Sequence, residues 1–192
     1  MNTKTNSTTR VTDAYVLNFK IEGDRIYFVN QSDYRVYSMP LAGGEPTPLT
    51  GVLNSQTMIN ENSDIQVLNG KVYYIIDKPW SSEHSSRFTL YRTGNNQPIN
   101  SSGNASSIRI HGGYIVALFD SIDGSAYRMM VFNANGDVVF KTSDNVIPTT
   151  VTVDNDRLYY IDSESMQVGM VELRGTVNFD RDMIIDFLSQ WE

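Results

Sequence analysis

No cysteine occurs anywhere in the sequence, which excludes disulfides, thiolate metal sites and a cysteine nucleophile. Histidine is nearly as scarce. With His84 and His111 alone, a metal centre built from several imidazoles is excluded, and a Ser-His-Asp triad would have to use one of these two. No apolar run approaches the roughly 18 residues that cross a bilayer, and the start, MNTKTNSTTR, lacks the apolar core of a signal peptide. Neither a membrane span nor a signal peptide is expected in this chain. Positive charge is in short supply as well. Lys and Arg number 15 against 22 Asp and Glu, a net charge of -7 with a pI near 4.8, which argues against the clustered basic groove that nucleic acid requires.

What is present suffices for a core. The chain is 192 residues long, 40% hydrophobic and 11% aromatic, the composition of one globular domain. A repeat runs through it. The short strands Arg25–Val29, Lys71–Ile75, Tyr114–Leu118 and Arg157–Ile161 can be anchored at Ile26, Val72, Ile115 and Leu158, which recur every 43 to 46 residues. That period matches the four-stranded blade of a β-propeller. Each anchor follows a turn signal, Glu22-Gly-Asp24, Asn69-Gly70, His111-Gly-Gly113 or Asp154-Asn-Asp156, residues that tolerate the positive φ of a tight hairpin.

The expected fold is therefore all-β, four consecutive blades of four-stranded antiparallel sheets. The first unit reads as strand A over Val16–Ile21, B over Arg25–Asn30, C over Tyr34–Met39 and D over Glu45–Leu49. Pro46 and Pro48 assign D to an edge, since proline has no ladder donor. The second unit reads Ile65–Leu68, Lys71–Ile76, Arg87–Arg92 and Gln97–Asn100. The third reads Ser107–Ile110, Tyr114–Phe119, Tyr127–Phe132 and Asp137–Lys141. In the fourth, Thr149–Val153, Arg157–Asp162 and Gln167–Leu173 are followed by no comparable fourth strand. Either Thr8–Thr12 or Gly175–Phe179 could supply it. The expected division is a polar segment over 1–10, a propeller over 11–179 and an amphipathic helix over 180–192. In that last segment Ile184, Phe187, Leu188 and Trp191 form one apolar stripe that packs on the last blade or on a partner chain.

Tyr159-Tyr-Ile-Asp162, Tyr27-Phe-Val-Asn30 and Tyr73-Tyr-Ile-Ile76 resemble degenerate forms of the YWTD strand found in propellers of the low-density-lipoprotein-receptor-related proteins. The stretch from Ile26 to Gly44, with Leu49-Thr50 after it, is similar to the unit of uncharacterised propeller domains of secreted bacterial proteins. The third unit departs from it, with Val116-Ala117 in place of the aromatic pair. The resemblance implies binding work at an extracellular or cell-surface location and no known chemistry.

In such blades the B to C and blade-to-blade connections share one rim, and here the longest connections gather there. Loops on a rigid scaffold are where binding residues concentrate. The candidate ligand-binding residues are Trp80 and His84 in the loop over 77–86, Tyr34 at the start of the first C strand, Asp120 and Asp123, and Asp162 and Glu164. Trp80 offers a stacking face to a sugar or peptide side chain. Asp120 and Asp123 before Gly124 loosely fit a calcium loop, without the full ligand series of an EF-hand; no other cofactor is expected. The expectation is a non-catalytic module for a protein or carbohydrate ligand. The alternatives are a glycan-processing enzyme using Asp120, Asp162 and Glu164, and a purely structural role. A closed monomer completed by Thr8–Thr12 is the expected assembly, with a homodimer as the alternative.

Overall fold

The computed structural model describes residues 8–51, 58–59, 64–78, 87–95, 97–100, 103–120, 127–142 and 146–173. They form four consecutive antiparallel sheets, the blades of a β-propeller. Blade 1 is β1 (Val16–Glu22), β2 (Arg25–Asn30), β3 (Val36–Pro40) and β4 (Thr47–Pro48), in that spatial order. Pro48 lies on the outermost strand, as its missing N–H requires.

Blade 2 differs from the expected pattern at both edges. Its strands are β5 (Met58–Ile59), β6 (Gln66–Leu68), β7 (Lys71–Asp77) and β8 (Phe88–Arg92). Because β8 occupies one edge of β7, β5 and β6 share the other, and the innermost strand is split in two. The expected outer strand over Gln97–Asn100 is not formed. Two hydrogen bonds replace it: Ile99 N donates to Leu90 O at 2.8 Å, and the Asn100 side-chain Oδ1 accepts from Leu90 N at 2.7 Å.

Blade 3 is complete, with β9 (Asn104–His111), β10 (Tyr114–Asp120), β11 (Tyr127–Phe132) and β12 (Val138–Lys141). Blade 4 has β13 (Thr152–Asp154), β14 (Arg157–Ile161) and β15 (Val168–Glu172). A 3-10 turn over Pro148–Thr150 stands where the strand was expected to begin. Thr8–Thr12 does not complete this blade, which corrects that expectation. The stretch is not a strand, and its hydrogen bonds are local: Arg10 Nε donates to Thr12 O at 3.0 Å and Ala14 N to Thr12 Oγ1 at 3.1 Å. Such side-chain bonds compete with a sheet ladder. Gly175–Phe179 and the expected helix over 180–192 lie outside the described residues.

All four A to B hairpins turn in two residues. Asn69-Gly70, Gly112-Gly113 and Asn155-Asp156 have positive φ at both positions, and Gly23 does at the first. Mirror-image turns of this kind match the twist of the strands they join.

At each of the three blade junctions, one blade presents its leading face to the trailing face of the next. Tyr27, Val29 and Val36 of blade 1 pack on Ile65, Val67, Val72 and Tyr74 of blade 2. Tyr73, Ile75 and Leu90 then meet Ile108, Ala117, Phe119 and Phe132 of blade 3. Val116, Leu118 and Met129 meet Val151, Val153 and Leu158 of blade 4. Counting from each anchor, the leading face falls one and three residues on, the alternation of a two-sided strand. A single blade cannot cover both faces, so stacking drives the fold.

The turns also latch one blade to the next. The Glu22 carboxylate accepts Asn69 N and Gly70 N, each at 2.7 Å, tying blade 1 to the first turn of blade 2. Tyr114 Oη donates to Asp156 Oδ1 at 2.9 Å, tying blade 3 to blade 4.

Candidate ligand-binding rim

The B to C connections of blades 1 and 4 are the same turn. In blade 1, Asn30 N donates to Arg35 O at 3.0 Å and Tyr34 N to Asn30 O at 2.8 Å, while Asn30 Oδ1 accepts from Ser32 N at 3.1 Å. In blade 4, Asp162 N donates to Gln167 O at 3.0 Å and Met166 N to Asp162 O at 2.9 Å. Tyr34 and Met166 hold the corresponding positive-φ positions. Asp162 Oδ1 accepts from Glu164 N at 3.2 Å, Ser165 N at 2.6 Å and Ser165 Oγ at 2.7 Å. These hydrogen bonds hold its carboxyl below the usual carboxylate range. An ionised acid fixed in this way organises a turn; a general acid would need the opposite shift.

Blades 2 and 3 handle the same place differently. Their B strands end in Asp77 and Asp120, opposite Phe88 and Tyr127. Arg87, at the far end of the loop that follows Asp77, grips its carboxylate through two bonds of 2.7 and 3.0 Å. The residue before Tyr127 is alanine, so Asp120 has no arginine at the matching sequence position. Its Oδ1 is buried without a hydrogen-bond partner among the described residues. Between these acids, Asn104 Oδ1 accepts from Arg87 N at 2.8 Å and Phe88 N at 3.1 Å, joining blade 2 to blade 3. Asn104 is also the ladder partner of Asp120. Asp77, Arg87, Asn104 and Asp120 are therefore one polar stretch of the rim, carried on strand ends.

Burial raises the Asp120 carboxyl above its ordinary value, with a backbone hydrogen bond acting the other way. The folded chain binds this proton more tightly than the unfolded chain. Asp120 thus contributes its full stability below the unfolded carboxylate value of about 4 and loses it as pH rises through the raised folded value. Asp120→Asn should be more stable than the parent at neutral pH. The advantage should vanish in acid, as urea midpoints measured across pH would show.

Of the expected site residues, Asp162 and Glu164 share one turn, whereas Tyr34 and Asp120 serve other blades. Trp80, His84 and Asp123 lie outside the described residues. Among the described residues no group of three or more His, Asp or Glu could hold a metal ion. The clamp of Asp77 by Arg87 was not anticipated, although opposite charges at the two ends of one loop were visible in the sequence. Among the described residues, the other rim carries depressions. One, of about 370 Å³, is lined by Asn155, Asp156, Arg157 and Glu172. Another, of about 270 Å³, runs between the turns of blades 3 and 4.

No protein-family model matches the chain, and no curated relative matches it. Among solved structures it is similar to Hsv2 of Kluyveromyces lactis, with 14% identity and a TM-score of 0.45 over 90% of this chain and 54% of that one. It is similar to a chain of the nidogen/laminin complex, with 15% identity and a TM-score of 0.35 over 79% of this chain and 56% of that one. BamB from Moraxella catarrhalis follows at 9% identity and a TM-score of 0.29, over 82% of this chain and 61% of that one. The chain spans little more than half the length of the first two. Its own four sheets define it as a β-propeller protein.

Proposed function

We propose that the chain is a non-catalytic binding module, extracellular or at a cell surface, that takes a protein or glycan ligand on the long-loop rim. The kinship with YWTD propellers belongs to the same reading. One observation carries it. At the base of the two longest B to C loops, Asp77, Arg87, Asn104 and Asp120 form a continuous polar stretch on strand ends, and Asp120 there keeps a buried oxygen without a partner among the described residues. Binding groups held on strands are placed more rigidly than groups held on loops. Trp80 and His84 follow Asp77 in the chain and would add a stacking face and a polar contact.

A glycan and peptide array with a hydrolysis readout tests the proposal. The expected result is binding without turnover, lost on Trp80→Ala and weakened on Asp120→Asn. Turnover abolished by Asp162→Ala or Glu164→Ala would replace it with the glycan-processing enzyme. A chain that binds nothing on either array would have a structural role.

A further inference from the structure

The three internal blade interfaces repeat one contact. On the leading side, Val36, Leu90 and Met129 occupy equivalent positions, opposite Val29, Ile75 and Leu118 in the ladders. On the trailing side stand Ile65, just before β6, Ile108 within β9, and Val151, just before β13. Each leading residue shares a core with its trailing counterpart: Val36 with Ile65, Leu90 with Ile108, Met129 with Val151. All six are buried, between 0 and 7% exposed.

At the two ends of the blade series the residues equivalent to this pair are exposed. Val168, opposite Ile161, is the leading equivalent in blade 4 and is 68% exposed. Phe19, opposite Phe28, is the trailing equivalent in blade 1 and is 57% exposed. Met170 beside the first and Ile21 beside the second are also more than half exposed. On the same face of blade 1, Ile26, Phe28 and Met39 are already buried within the single chain, with Ala14 and Tyr37 packed against them, which leaves Phe19 and Ile21 as the open part of that face. Both patches are apolar in a chain of net charge -7; the nearest charges on the blade 4 face are Asp154, Arg157 and Glu172, of which Arg157 and Glu172 pair at 3.2 Å.

We infer that a second copy of this chain covers both ends at once, blade 4 of each copy packing on blade 1 of the other. The contact repeats the residue pair of the internal interfaces at the open edge of the blade 1 face, with Val168 of one copy meeting Phe19 of the other. A two-fold axis makes the two junctions identical and closes a ring of eight blades, within the range of about four to eight that propellers adopt. Head-to-tail contacts that did not close would instead run on as a filament.

The mass of the full chain in solution, measured by light scattering at micromolar concentration, should be twice 21.7 kDa. Phe19→Asp and Val168→Asp should each give a monomer with an unchanged circular dichroism spectrum, because both side chains are exposed in the single chain. The absence of cysteine permits a second test. Phe19→Cys mixed with Val168→Cys should be joined by a short bifunctional thiol reagent, while neither variant alone should be. A wild-type monomer, a dimer insensitive to Phe19→Asp, or cross-linking of a single variant to itself would each overturn the inference.

Discussion

Replacing Phe132 by alanine should remove about 3 to 5 kcal/mol of stability, among the largest effects of any single substitution in this chain. Phe132 ends β11 and is buried in the core between blades 2 and 3 with Ile75, Leu90 and Phe119. Its ring meets that of Tyr73 from the neighbouring blade at 5.4 Å and 49°, a tilted pairing worth about 1 kcal/mol beyond the buried area. Alanine leaves a cavity between two sheets whose backbones are fixed by their own ladders and cannot collapse into it. A typical domain has only about 5 to 15 kcal/mol to lose. Leu41→Ala, in an exposed turn, removes an isopropyl group that already meets water and should change stability by less than about 0.5 kcal/mol. Urea unfolding of both variants checks the contrast. Since each blade touches its neighbours through one such core, the loss should also uncouple the two halves, lowering the m-value of the Phe132→Ala transition.

Where sequence reading succeeded, a local rule and the global fold asked for the same residue. Arg25–Asn30 and Tyr127–Phe132 are strands over the expected bounds because turn residues flank a short continuous apolar run, buried on both faces, on either side. Asn69-Gly70 and Gly112-Gly113 are turns because the chain there needs positive φ. Reading failed where a partner distant in sequence decides the outcome. Met58–Ile59 is a strand because β7 offers it an open edge, and two residues carry no periodicity of their own. Gln97–Asn100 looks like a strand, but the Asn100 side chain takes the place of the ladder. Pro148 starts a 3-10 turn and delays β13 until Thr152. At the rim, Asp120 was expected as the first residue of the loop after Tyr114–Phe119, and it is the last residue of β10. Its burial was not legible, nor was the close approach of the Gly103 backbone to its carbonyl oxygen, because both depend on how separate stretches of the chain pack.

That approach sets the second large effect. Gly103 has φ +73, and a Cβ there would stand 2.7 Å from the Asp120 carbonyl oxygen. The obstacle is backbone within the β9–β10 ladder, so it cannot rotate aside as a side chain would. The Gly103 carbonyl also accepts from Asn100 Nδ2 at 2.8 Å, and buried Asn100 in turn holds Leu90 N. Gly103→Ala therefore combines left-handed strain with a backbone clash, and should cost about 2 to 4 kcal/mol. Gly113→Ala separates the two contributions. With φ +83 and nothing within 4 Å of its Cβ, it should show the strain alone, about 1 kcal/mol. Equal losses for the two variants would mean that the strand end at Asp120 yields freely. An excess for Gly103→Ala, accompanied by a change in the pH dependence that Asp120 imparts, would show that this glycine holds the carboxylate in its buried setting.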